Sequence, residues 1–154
     1  KTDFAKEYQK ELYETSNIIP IGHVNIETPQ YEVLSRKCAY SIMPSCAEGC
    51  AGSVLANMSA GIIPIVSKEC GFDDDEVIIL PDCEKGTILK YIEEYRKKSQ
   101  EWLKVKSREC IDVVKERYSD SSFTKSVEVA LEGVLGGAKI GNLVIKSKHN
   151  VWQD

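Results

Sequence analysis

Histidine is scarce in this chain, with two residues among 154, and none of its six cysteines forms a Cys-x-x-Cys pair. The ligand spacing of a structural zinc site is therefore missing. No apolar run approaches the roughly 20 residues that span a bilayer, so no segment reads as a transmembrane helix. The opening residues, KTDFAKEYQKELYE, are charged and lack the apolar core of a secretory signal. Positive charge is in deficit: 20 Lys and Arg against 24 Asp and Glu leave a net charge of −4. That balance argues against broad electrostatic binding to nucleic acid. There is no internal repeat, no low-complexity stretch and no Gly-x-Gly-x-x-Gly dinucleotide fingerprint. In a chain of this size with an α/β pattern, Cys38, Cys46, Cys50, Cys70, Cys83 and Cys110 read as free thiols of a cytosolic protein rather than as a disulfide framework.

What is present is an ordinary globular composition, 42% hydrophobic and 29% charged, at a length that supports one sizeable core. Four apolar, β-branched runs alternate with amphipathic stretches. Ile18–Ile21, Tyr40–Met43, Ile62–Val66 and Glu76–Leu80 read as strands, the first interrupted by Pro20. Residues 3–15 read as a helix through Phe4, Tyr8 and Leu12. Thr28 followed by Pro29 opens a second helix that runs to Lys37. After the last strand come helices only. One carries Ile88, Leu89, Tyr91, Ile92 and Tyr95, one runs from about Ser99 to Tyr118, and one runs from Phe123 to Leu135 after a break at Ser119–Ser122. Asn142–Ile145 is a candidate strand in the tail, with Trp152 as an anchor. The pattern predicts an α/β fold, a Rossmann-like parallel sheet of about four strands flanked by helices, over residues 1–135, followed by a tail over 136–154.

The centre of the chain is Ala39–Ser67, AYSIMPSCAEGCAGSVLANMSAGIIPIVS. A short strand stops at Pro44, a loop of small residues holds one carboxylate, Glu48, and a helix with Val54, Leu55 and Met58 follows. Gly61 closes that helix ahead of the next strand. This is a βαβ unit, and its loop lies where open α/β sheets bind ligands, between a strand's carboxyl end and a helix N-terminus.

Pro44-Ser45, Glu48-Gly49-Cys50-Ala51-Gly52, Leu55-Ala56-Asn57-Met58 and Gly61-Ile62-Ile63-Pro64-Ile65-Val66 together resemble the donor-binding signature of retaining GT-B glycosyltransferases, especially glycosyltransferase family 4. The resemblance covers most of residues 3–135 and matches the later part of the family's C-terminal domain. It implies a nucleotide-sugar-binding domain of a retaining hexosyltransferase-type enzyme of carbohydrate biosynthesis. The donor would be UDP-, GDP- or ADP-linked and the acceptor a glycan or another hydroxyl compound. It also implies an N-terminal GT-B acceptor domain without counterpart here. The start at Lys1, with no initiator Met, then reads as that of a fragment of a longer enzyme, inactive in transfer on its own. The expected location is cytoplasmic, with peripheral attachment at the inner membrane face as a variant.

By the same resemblance, Glu48 orients the donor sugar as the catalytic-site carboxylate. Ser45, Gly49, Cys50, Ala51, Gly52 and Ser53 hold the donor. From its position alone, His23, at a strand end on the same edge, is a candidate to reach the diphosphate. Without the resemblance, Glu48 is a first-turn or capping acid and His23 a surface or capping group; the Cys50 side chain, standing where the family has a small or aromatic residue, reads as packing. The Asp73-Asp74-Asp75 run reads as a solvated face rather than a metal site, and neither metal nor cofactor is expected. The family's second glutamate, which resembles a ribose-binding group, falls eight positions beyond Glu48, where this chain has Ala56. Asn57, about 100° further round the helix, faces elsewhere. The rival readings are a binding or scaffold module that has lost donor affinity, a nucleotide-sugar epimerase on the same fold, and a flavodoxin-like phosphate-binding domain.

Overall fold

The computed structural model describes residues 3–134. Three parallel strands form its sheet in the order β1-β2-β3: β1 is Tyr40–Met43, β2 is Ile63–Ser67 and β3 is Ile78–Leu80. The register pairs Tyr40 with Ile63 and Met43 with Val66, then Ile65 with Ile78 and Ser67 with Leu80. All five residues of the central strand are buried, as a parallel strand covered on both faces requires. Ahead of the sheet lie α1 (Asp3–Glu7), α2 (Gln9–Glu14) and α3 (Pro29–Ser35). The crossover from β1 to β2 is α4 (Gly52–Ser59), and after β3 come α5 (Lys85–Tyr95), α6 (Gln100–Arg117) and α7 (Asp120–Val134).

The core gathers around the βαβ unit. Val54 and Met58, one turn apart on α4, are buried against Ile63, Ile65 and Val66 of β2 and Leu80 of β3, and Cys110 of α6 joins them. Each large side chain buried in this way contributes about 1.5–3 kcal/mol. Burial also pushes the Cys110 thiol up to about 11, so it stays protonated within the core. α4 ends in a Schellman motif. Gly61 takes φ 78°, its N–H donates to the Met58 carbonyl at 2.9 Å, and the Ile62 N–H donates to the Asn57 carbonyl at 2.9 Å. The chain turns there directly into β2.

Several sequence expectations need correction. Ile18–Ile21 is coil, so the described residues hold three strands rather than four. Pro20 has no N–H to give a ladder, and Gly22 turns the chain at φ 78° just beyond. Ile19 remains 80% exposed, and a cavity of about 380 Å³ lined by Ile21, Val24, Tyr40 and Ser41 separates this coil from the outer edge of β1. The Ser41 Oγ, on that edge, is buried without a hydrogen-bond partner among the described residues. The first helix is two, broken at Tyr8. β3 begins two residues later than expected, because Glu76 and Val77 belong to the preceding turn. The break before α7 is confined to Tyr118 and Ser119. The expected strand at Asn142–Ile145 and the anchor Trp152 lie outside the described residues. Among the described residues, no helix is long and apolar enough to cross a membrane.

Candidate functional site

The loop between β1 and α4, residues 44–51, sits at the carboxyl edge of the sheet and is fixed from below by β2 and the 3-10 turn Lys68–Cys70 that follows it. The buried Ser67 Oγ donates to the Ser45 carbonyl at 2.5 Å. The Cys70 thiol contacts the Met43 carbonyl at 3.5 Å, and the Glu48 N–H donates to the Glu69 carbonyl at 3.2 Å. Gly71 completes the support. It has φ 77°, and a Cβ there would stand 1.9 Å from the Gly49 carbonyl oxygen. A side chain at 71 and the observed course of the loop are therefore incompatible.

On this base the backbone of Glu48 is anchored while its side chain is exposed and in no hydrogen bond or ion pair among the described residues. It is not a helix cap. The N-cap of α4 is Ala51, no side chain bonds to the first turn, and that turn contains no acid. Gly49 and Gly52 both face open space where a Cβ would project, so packing within the chain does not demand glycine at either position. Ser53 lies in the first turn of α4, its hydroxyl 3.7 Å from the Met43 sulfur. Ala51 is buried under the loop. Cys50 is exposed rather than packed, and desolvation, with the Glu76 carboxylate second, raises its thiol pKa above the ordinary value. A raised pKa makes it a poor nucleophile at neutral pH.

Ser45, Glu48, Gly49, Cys50, Ala51, Gly52 and Ser53 thus share one loop and helix start. His23 is exposed in the coil before α3, without a side-chain partner among the described residues. Beside Ser45, a cavity of about 300 Å³ opens between the loops that follow β1 and β3, lined by Cys46, Lys68, Glu69, Asp82 and Cys83. A larger space of about 560 Å³ adjoins Ala56, walled by Ile26, Glu27, Tyr31, Leu55 and Ser59. Asn57 is occupied, its Oδ1 accepting from the Tyr31 hydroxyl at 3.0 Å.

Asp73, Asp74 and Asp75 are exposed, as expected of a solvated face, but Glu76, which follows them, is not. Glu76 is 3% exposed. Its Oε1 accepts from Arg117 at 3.1 Å, and its Oε2 accepts from the Tyr118 hydroxyl at 2.9 Å and the Asp73 N–H at 3.0 Å. Asp75 takes the other arm of the Arg117 guanidinium at 2.5 Å, and this hydrogen bond holds its carboxyl below the ordinary range. Sequence reasoning passed over Ser67, Gly71 and this latch. Ser67 had one visible signal, a lone hydroxyl ending an apolar run. The side-chain partners of Glu76 lie 41 and 42 residues away, beyond any local pattern. Among the described residues no group of three or more His, Cys, Asp or Glu is placed to hold a metal ion. Comparisons with protein-family models, curated proteins and solved structures gave no match to this chain.

Proposed function

We propose that this chain is the donor-binding domain of a retaining GT-B glycosyltransferase of the family 4 type. It binds a UDP-, GDP- or ADP-linked sugar whose sugar passes to a glycan or other hydroxyl acceptor. The observation that carries this reading is the state of Glu48, a carboxylate on an anchored backbone, beside an uncapped helix start, spent neither on the helix nor on an ion pair. A free carboxylate accepts hydrogen bonds from sugar hydroxyls. The first amides of α4, at the positive end of its dipole, suit a leaving diphosphate. Gly49 and Gly52 leave the approach to those amides free of side chains. Transfer itself also needs the acceptor domain that the resemblance implies.

A second reading, a non-catalytic module on the same fold, draws on Ala56. A methyl group stands where the resemblance puts a ribose-binding carboxylate, and the adjacent space is largely apolar, with Glu27 at its margin. Calorimetric titration with UDP, GDP, ADP and their common sugar conjugates separates the two. In the donor-site reading one nucleotide sugar binds, and Glu48→Ala weakens the conjugate more than the plain nucleotide. A hydrogen bond to a charged group is worth about 1.5–3 kcal/mol, or roughly a tenfold to a hundredfold change in Kd. No binding to the longest available form of the protein overturns the donor-site reading and leaves the module.

A further inference from the structure

The opposite, amino-terminal edge of the sheet carries a concavity of different chemistry. It is a cavity of about 320 Å³ where α3 ends, β1 and β2 begin and α6 passes alongside. Its polar lining is Arg36, Lys37, Gln100, Lys104 and Ser107, and no Asp or Glu lines it. Gln100, Lys104 and Ser107 follow at steps of four and three residues, so α6 presents them on one face. Arg36 shares a pair with Glu32 at 2.6 Å, but both side chains are well exposed and such a pair is worth little in water. Lys37 and Lys104 enter no ion pair among the described residues.

Three cations around one hollow repel each other, and in a chain of net charge −4 this gathering runs against the overall balance. Helix-end preference accounts for Arg36 and Lys37, at the C-terminal end of α3, but not for Lys104, which comes from the first half of another helix. Gly61 adds a packing constraint at the same place. A Cβ on it would stand 2.5 Å from the Ser107 Oγ, so the turn before β2 and the α6 hydroxyl are in close contact.

We propose that this cavity binds a phosphate-type oxyanion, a phosphate or diphosphate group carried on a soluble ester or on a lipid headgroup. Arg36 supplies a planar fork, Lys37 and Lys104 supply point charges, and Ser107 and Gln100 supply neutral donors. The site lies at the other end of the strands from Glu48. It stands whether or not the loop after β1 binds a sugar donor.

The test follows backbone amide resonances of the full chain during titration with inorganic phosphate, against chloride at matched ionic strength. Co-sedimentation with phosphatidylcholine vesicles, with and without phosphatidic acid, runs in parallel. The expected result is saturable shifts at Gly61, Lys104 and Ser107, sedimentation that requires phosphatidic acid, or both. The double variant Lys37→Gln/Lys104→Gln, at two exposed positions, should weaken either by about tenfold or more. Saturation by inorganic phosphate alone assigns a soluble ligand, and vesicle binding alone assigns a headgroup. Shifts no larger than those with chloride, together with no sedimentation, overturn the proposal. So does binding that survives the double variant.

Discussion

Two glutamates in the loops of the sheet, one after β1 and one before β3, have opposite fates. Glu76 is buried, and three hydrogen bonds from Arg117, Tyr118 and the Asp73 amide satisfy its oxygens. Glu48 is exposed and its carboxylate bonds to nothing among the described residues, although its own backbone is anchored. A buried carboxylate without partners would be costly, so Glu76 reads as a fastening between the turn before β3 and the end of α6. An exposed carboxylate on a fixed backbone costs little and remains available to a ligand. The pair separates a residue that holds the fold from one that the fold presents.

Four substitutions sharpen that contrast, from the largest effect to the smallest. Gly71→Ala combines a left-handed backbone with a Cβ against the Gly49 carbonyl. It should destabilise by about 3 kcal/mol in denaturant unfolding and disturb the Glu48 loop at the same time. A wild-type midpoint would mean that the support under that loop is dispensable. Glu76→Gln keeps the shape but removes the charge facing Arg117. Because Arg117 is partly exposed and retains Asp75, the expected loss is about 2 kcal/mol rather than that of a fully buried pair.

Tyr118→Phe removes one bond to Glu76 and should cost about 1 kcal/mol. Its sharper signature lies in alkali. Burial first, and the Glu76 carboxylate second, raise the Tyr118 pKa above the ordinary tyrosine value of 10.0. The folded protein therefore keeps a proton that the unfolded chain loses. This stabilising contribution is complete below about pH 10 and declines as the pH rises past it. Unfolding curves between neutral and strongly alkaline pH should show that decline in the wild type and a shallower one in Tyr118→Phe. Equal slopes would remove Tyr118 from the latch. Glu48→Ala should change stability by less than about 0.5 kcal/mol, as a surface position does.

Much of this contrast was hidden in the sequence. The βαβ unit was legible because its signals are local. Pro44 stops β1, small residues form the loop, Val54 and Met58 mark one face of α4, and Gly61 ends it before a β-branched run. The same local reasoning misread Ile18–Ile21, since an apolar run records a tendency to extend but not the presence of a neighbour with which to pair. It also extended β3 into Glu76, which lies in a turn, its N–H bonded to the Asp73 carbonyl and its side chain held by Arg117 and Tyr118 at the end of α6. At the site, the loop and its carboxylate were visible. The glycine that permits the loop was not, because Gly71 acts through contact with Gly49, 22 positions back. Nor did spacing reveal the basic hollow at the other edge, which is assembled from α3, α6 and the turn before β2.

The central claim is that Glu48 is held for a ligand rather than for the fold, and Glu48→Ala tests it when unfolding and nucleotide-sugar titration are measured on the same preparation. The predicted result is an unchanged midpoint with donor affinity lowered by about tenfold or more. A midpoint that falls as far as that of Glu76→Gln, with donor affinity unmoved, would contradict it.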